Sequence, residues 1–199
     1  MKKVALIGGA YDPIHIGHIQ MAFETSKLDI FDEVWIMPCY KSGWGKTMTG
    51  YYHRLKMCYL AMTYINSITK GNVSISNYEI RNKITGKTYE ILERMSIDFP
   101  DTEFSIVIGQ DNADNIEKWE RYNYITEKYQ FVVCPRDSKT HKLWYFKNPH
   151  ILISNKLPTI SSSDIRKNIR NDFERYVRYV PPDVLDYIIN EGIYNYARK

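Results

Sequence analysis

Two histidines, His15 and His18, sit three positions apart behind a pair of glycines, in the run Gly8-Gly9-Ala10-Tyr11-Asp12-Pro13-Ile14-His15-Ile16-Gly17-His18. Three positions make about one helical turn, so both imidazoles share a face wherever a helix begins here. Gly8 and Gly9 follow Val4-Ala5-Leu6-Ile7, which reads as a buried strand, and they permit a tight turn and a close approach of backbone to ligand. Imidazoles, glycines and the N–H groups of a helix start together suit polyphosphate oxygens. A metal half-site or a pair of surface histidines is the duller reading of the same spacing.

A second polar cluster, Ser161-Ser162-Ser163-Asp164, precedes the apolar-basic segment 165–169 and carries an N-cap signal. Arg166 falls in the first turn of the helix it starts. Serine hydroxyls, N–H groups and a guanidinium at one helix start make a second phosphate site, and a plainly capped helix is the alternative. No Gly-Lys-Ser/Thr closes a phosphate cradle after Gly8-Gly9, which excludes a P-loop, and the Gly-x-Gly-x-x-Gly fingerprint of dinucleotide-binding folds is absent. No Ser-His-Asp or Cys-His arrangement suggests a protein nucleophile.

The elements that must position these clusters alternate along the chain. Strands are expected at 3–7, 33–37, 73–76, 104–108, 131–134 and 151–153, each short, rich in Val, Ile and Phe, and closed by Gly, Pro or polar residues. Helices are expected at 18–28, 51–65, 88–98 and near 122–128, with a last one at 184–190 after Pro181-Pro182-Asp183. Such alternation argues for an α/β fold, an open parallel sheet with helices on both faces and a small helical part over 160–199. In such sheets ligands sit beyond the carboxyl ends of the strands. The polar clusters 8–18, 38–46 and 109–119 all follow strands and so converge on one edge. Arg54 reads as a structural residue of its helix rather than a site residue.

The 199 residues fit a single domain. Hydrophobic content of 44% and charged content of 25% are ordinary for a soluble protein. A net charge of +4 suits anionic substrates and is too mild to indicate nucleic-acid binding. Cys39, Cys58 and Cys134 form no CxxC pair and read as buried thiols of a reducing compartment. The apolar run after Met1-Lys2-Lys3 is cut at Gly8, too early for a secretion signal, and no stretch approaches the ~18 apolar residues of a membrane span. The expectation is a cytoplasmic protein with small-molecule partners, no nucleic acid and no membrane, and with a homo-oligomer allowed.

Together the motifs resemble the nicotinate/nicotinamide mononucleotide adenylyltransferases, most closely the bacterial nicotinate-nucleotide branch of this Rossmann-like nucleotidyltransferase superfamily. The resemblance rests on residues 8–18, on Ile108-Gly109-Gln110-Asp111-Asn112 with Lys118-Trp119, on Cys134-Pro135-Arg136, on Ile160 through Arg166, and on the tail Val180-Pro181-Pro182-Asp183-Val184 with Gly192-Ile193-Tyr194. It implies adenylyl transfer from ATP to a pyridine mononucleotide, with pyrophosphate released. The nucleophile is then the mononucleotide's own 5′-phosphate, so the protein has to align two anions and neutralise charge at the α-phosphorus.

On that resemblance His18 donates to the α-phosphate, His15 and the 8–11 backbone (Gly8, Gly9, Ala10, Tyr11) hold the triphosphate, and Lys46 and Arg166 clamp phosphate oxygens with Ser162. Gly17, Ile160 and Asp111 belong to the ATP side, Asp111 at the ribose. Thr88 and Trp119 surround the pyridine ring and Arg136 lies near the mononucleotide phosphate. Magnesium travels with ATP, no protein metal site is expected, and Asp12 orders its loop. The chain departs from the family at Ala10, where Thr or Ser is usual, in the loop Lys41-Ser42-Gly43-Trp44-Gly45-Lys46, and at Lys87, which would favour a nicotinate carboxylate if it pointed inward. The competing readings are a pantetheine-phosphate adenylyltransferase, a cytidylyltransferase, or a non-catalytic adenylate-binding module.

Overall fold

The computed structural model describes residues 1–43, 45, 47–85, 87–136, 143–147, 151–153 and 155–195. The chain runs β1 (Lys2–Gly9), α1 (Ile16–Ser26), β2 (Glu33–Pro38), α2 (Tyr51–Ile68), β3 (Val73–Ile75), α3 (Tyr78–Arg81), α4 (Thr88–Asp98) and β4 (Thr102–Gly109). It continues with α5 (Gln110–Ala113), α6 (Tyr122–Lys128), β5 (Gln130–Cys134), β6 (Ile151–Leu152), α7 (Ser162–Asn168), α8 (Phe173–Tyr176) and α9 (Pro182–Asn190). All six strands pair in parallel in the order β3-β2-β1-β4-β5-β6.

Strand alternation sorts the core into two layers. Ala5 and Ile7 of β1 face a cluster with Ile19, Ala22, Met57, Ala61 and Ile65, while Val4 and Leu6 face one with Leu92, Met95, Ile125 and Phe131. Both faces of β1 are therefore buried, which is why its apolar run is continuous rather than alternating. Val184 and Ile188 of α9 lie in the first of these clusters. On α2 the inward residues are Arg54, Met57, Cys58, Ala61 and Ile65, spaced three or four apart as a buried helical stripe requires.

The strand expectations agree with the structure to within a residue or two. Three one-turn helices, α3, α5 and α8, go unannounced by the sequence, because a single turn shows no periodicity. α1 starts at Ile16 instead of 18, and α7 at Ser162 instead of 165. In both cases the residue ahead of the helix caps it through its own side chain, so the polar run itself forms the first turn.

The sheet order reverses between β1 and β4, whose carboxyl ends are Gly9 and Gly109. At such a reversal the helices leave towards opposite faces and open a crevice beyond the strand ends. Described residues of the clusters 8–18, 38–46, 109–119 and 161–166 line it.

Candidate active site

The crevice holds two adjoining chambers. The smaller, about 200 Å³, is walled by Ala10, Asp12, His15, His18, Ser162 and Arg166, among others. The larger, about 500 Å³, is walled by Gly8, Gly9, Glu79, Thr88, Asp111 and Trp119, among others. Ala10, His18, Met48 and Arg136 line both, so His18 and Arg136 stand where the two meet.

The two imidazoles form the cap of α1. His15 Nδ1 accepts the Gly17 N–H at 3.1 Å, and His18 Nδ1 accepts the His15 N–H at 3.3 Å. This is a reciprocal capping box built from histidines, with the rings stacked at 3.8 Å. Because each Nδ1 accepts, the proton of each neutral ring sits on Nε2, where it is free to donate. Burial pulls the His15 pKa down to about 3, and the charge of Arg136 pushes the same way. Burial also holds His18 well below its ordinary value, with further lowering from His15 and Arg136.

Two neighbours make this geometry possible. A Cβ on Gly17 would stand 3.0 Å from the His15 ring, so only glycine lets that imidazole fold back on the helix start. Tyr11 adopts φ 51, a left-handed backbone that costs a non-glycine residue about 1 kcal/mol. Its hydroxyl donates to the Ile7 carbonyl at 2.5 Å and its ring packs edge-on to His18 at 4.8 Å. Gly9 lies under that ring, where a Cβ would come within 3.1 Å.

The depressed imidazoles link pH to stability. In the unfolded chain they take up protons near the model value of 6.5, whereas in the folded chain His15 does so only at about 3. Below pH 6.5 the unfolded state therefore binds more protons, and each withheld proton costs about 1.4 kcal/mol per pH unit. The two rings together remove about 3 kcal/mol of stability between pH 6.5 and pH 5, and the Glu79 carboxyl, raised to about 7 in the folded chain, gives back about 1.5, so urea unfolding is expected to show a net fall of about 1.5–2 kcal/mol. A flat profile over that interval would mean that the rings are charged in the folded protein.

Asp12 is 1% exposed and its carboxylate is fully engaged, as the expectation of a loop-ordering role requires. Oδ1 accepts the Tyr194 hydroxyl at 2.7 Å and Oδ2 accepts the Thr49 N–H at 3.2 Å. Arg166 donates to the Asp12 carbonyl at 2.6 Å and to Ser163 Oγ at 3.1 Å, and lies 3.8 Å from Asp12 Oδ2. Its guanidinium is thereby fixed at the wall of the smaller chamber. Ser161, rather than Ser162, is the N-cap of α7, accepting the Asp164 N–H at 3.1 Å. The Ser162 hydroxyl donates to the Pro13 carbonyl at 2.9 Å, which ties α7 to the histidine loop.

At the junction Arg136 pairs with Asp111 at 3.0 Å, and its backbone N–H donates to Gln110 Oε1 at 2.7 Å. Its Nε is buried, with no hydrogen-bond partner among the described residues. Thr88 opens α4, and Trp119, half-buried, packs on the second core cluster while lining the larger chamber. The residues taken for the two substrates therefore meet across one crevice.

Some residues lie elsewhere. Gly17 and Ile160 are buried behind the imidazoles and line neither chamber. Lys87 is turned outward to Glu120 at 3.0 Å and Glu90 at 3.9 Å, so the condition for its reading the pyridine is not met. Lys46 lies outside the described residues. Sequence reasoning missed Glu79 and Met48 as chamber residues, and brought Cys39 to this edge only as part of the 38–46 cluster. None of them carries a motif, and only the packing of α3 and the loop after β2 brings them to the crevice.

No helix among the described residues is long and apolar enough to cross a membrane. The sequence profile of the cytidylyltransferase-like family matches residues 6–168. A protein of Clostridium botulinum (strain Alaska E43 / Type E3) named "probable nicotinate-nucleotide adenylyltransferase" is 34% identical over 209 residues, covering 98% of both chains. One of the same name from Anaeromyxobacter dehalogenans (strain 2CP-1 / ATCC BAA-258) is 27% identical over 194 residues, covering 97% of both. The structure of Plasmodium falciparum nicotinic acid mononucleotide adenylyltransferase complexed with NaAD shares the fold, with TM-score 0.84, 22% identity and 99% of each chain covered. The chain therefore belongs to the cytidylyltransferase-like family, and within it to the nicotinate-nucleotide adenylyltransferases.

Proposed function

We propose that the crevice joins a pyridine mononucleotide to the adenylyl group of ATP, the triphosphate lying in the smaller chamber and the mononucleotide in the larger. The observation that supports this most is the pair of neutral imidazoles, His15 lining the smaller chamber and His18 lining both, each with Nδ1 occupied, between Arg166 and Arg136. An oxygen of the mononucleotide phosphate attacks the α-phosphorus of ATP, the bond to the bridging oxygen breaks, and pyrophosphate leaves with the electron pair. Both reactants are anions, so the protein supplies donors and cations rather than a base or nucleophile.

In this reading His18 donates to the α-phosphate as charge builds in the transition state. A neutral donor suffices and needs no proton from solution. His15 and the backbone around Ala10 hold the β- and γ-phosphates, and the missing hydroxyl at Ala10 leaves backbone contacts as the means. Arg166, held by Asp12 and Ser163, offers its fork to phosphate oxygens. Arg136 stands over the reacting phosphates with Asp111 setting its orientation. The oxygens of Asp12 are committed to Tyr194 and Thr49, so magnesium would come with ATP rather than be held by this carboxylate, and would supply charge neutralisation at the phosphates.

The direct test offers the purified protein ATP with nicotinate mononucleotide and, separately, with nicotinamide mononucleotide, and follows pyrophosphate. Release with either supports the reading; ATP binding without release for every acceptor would leave an adenylate-binding module. Trp119→Ala is expected to raise KM for the mononucleotide about tenfold, from the loss of ~1–1.5 kcal/mol of ring stacking, and to leave KM for ATP within about twofold. Equal effects on both substrates would remove the pyridine from beside Trp119.

A further inference from the structure

The larger chamber contains a carboxyl group that the reaction as derived does not use. Glu79, on the one-turn helix α3, is 2% exposed yet forms part of the chamber wall shared by Thr88 and Trp119. Its Oε1 accepts the Tyr40 N–H at 2.9 Å, and among the described residues no hydrogen-bond partner meets Oε2. The carbonyl of the same residue, Tyr40, accepts from Arg54 at 3.0 Å. Glu79 is thus fixed through one oxygen and leaves the other for a ligand.

The groups around it leave the protonation of that oxygen adjustable. Arg54, on α2, favours the ionised form but commits its N–H groups to the loop carbonyls and to Cys39 Sγ. The Cys39 thiol, at the end of β2, is pushed up by burial, and Lys41 Nζ lies 5.4 Å over the Tyr40 ring. Across the chamber Asp111 and Arg136 neutralise each other, and His18 is uncharged. Arg81, on the same helix as Glu79, lines a separate cavity with Trp35 and Phe99. Lys87 is outside, on Glu120. Burial raises the Glu79 carboxyl to about 7, against the opposing pull of the Tyr40 N–H and Arg54.

We propose that Glu79 is a specificity-determining residue that reads the substituent on the pyridine ring, donating a hydrogen bond to a ring carboxylate when protonated and accepting one from a ring carboxamide when ionised. This rests on the reading above that the larger chamber holds the pyridine. Two carboxyl groups meeting with one proton between them form a short, charge-assisted hydrogen bond, whereas two carboxylates repel. The carboxamide presents N–H donors, for which the ionised form is the better partner. The choice between the two mononucleotides therefore depends on pH over the range in which Glu79 titrates.

The test is the ratio of kcat/KM for nicotinate mononucleotide to that for nicotinamide mononucleotide, measured from pH 6 to pH 8.5. Both acceptors carry the same phosphate, so its own titration cancels in the ratio. The ratio is expected to fall by about tenfold or more as pH rises, following the loss of the protonated form. In Glu79→Gln, which keeps an acceptor for the Tyr40 N–H and donates at every pH, the ratio is expected to be flat. A wild-type ratio independent of pH, or a slope that survives in Glu79→Gln, overturns the proposal while leaving adenylyl transfer intact. Absence of turnover with both acceptors overturns the functional reading itself, and this proposal with it.

A second measurement needs no variant. Calorimetric titration of the wild-type protein at pH 8, in two buffers of different ionisation enthalpy, is expected to show nicotinate mononucleotide taking up about one proton more than nicotinamide mononucleotide. Equal uptake overturns the proposal.

Discussion

Replacing His18 by Ala is expected to lower kcat by about 10²–10³ with the fold retained. The magnitude is that of losing one preorganised donor to charge that develops in the transition state, about 2.7–4 kcal/mol. The donor is preorganised because its Nδ1 is occupied by the His15 N–H, which leaves Nε2–H for the substrate without reorganisation. KM for both substrates is expected to move less than kcat, since the bond to the α-phosphate strengthens only as charge builds. The fold survives because the variant loses one acceptor at a helix start, a cost of about 1 kcal/mol. The check is steady-state kinetics beside a urea unfolding curve. A variant with near-wild-type kcat would remove His18 from the chemistry.

Arg54→Met is expected to destabilise the protein by about 3–5 kcal/mol, which is a large share of a typical folding free energy of about 5–15 kcal/mol. Arg54 is 1% exposed. It donates to the carbonyls of Thr49 at 2.8 Å, Ala10 at 2.7 Å, Cys39 at 2.7 Å and Tyr40 at 3.0 Å, and to Cys39 Sγ at 3.7 Å. One guanidinium thus gathers the turn after β1 and the loop after β2. Methionine fills similar volume but leaves those buried carbonyls without donors, and each orphaned group costs about 1–3 kcal/mol. Arg54→Lys keeps the charge, loses the fork, and is expected to fall between the two. Urea midpoints measure this directly, and a loss below about 1 kcal/mol for Arg54→Met would mean that water or a rearranged loop replaces the bonds.

These two residues show how unevenly the site is written into the chain. His18 is visible because its partners are local: a strand, two glycines and another histidine within a dozen positions. Arg54 is readable only as a structural helix residue, since the carbonyls that it collects lie as many as 44 positions away. Glu79 gives no signal at all, because its meaning comes from the burial of a one-turn helix beside a chamber.

Asp12 lies between these cases. Its position beside Pro13 already suggests a loop residue, yet the Tyr194 hydroxyl that holds it comes from 182 positions further on. Lys87 fails in the opposite direction. Its place before Thr88 leaves open whether its charge turns inward, and Glu120, distant in sequence, holds it outside.

Local covalent order was enough to establish the alternating α/β architecture, the phosphate-seeking histidine turn and the family, since periodicity, capping and glycine spacing act over a few residues. Which oxygens and nitrogens remain free to meet a substrate was settled by folding alone. Hydrogen bonds and ion pairs between distant segments consume most polar groups, and the ones left over among the described residues, such as Nε2 of His18 and Oε2 of Glu79, emerge only once the other partners are in place.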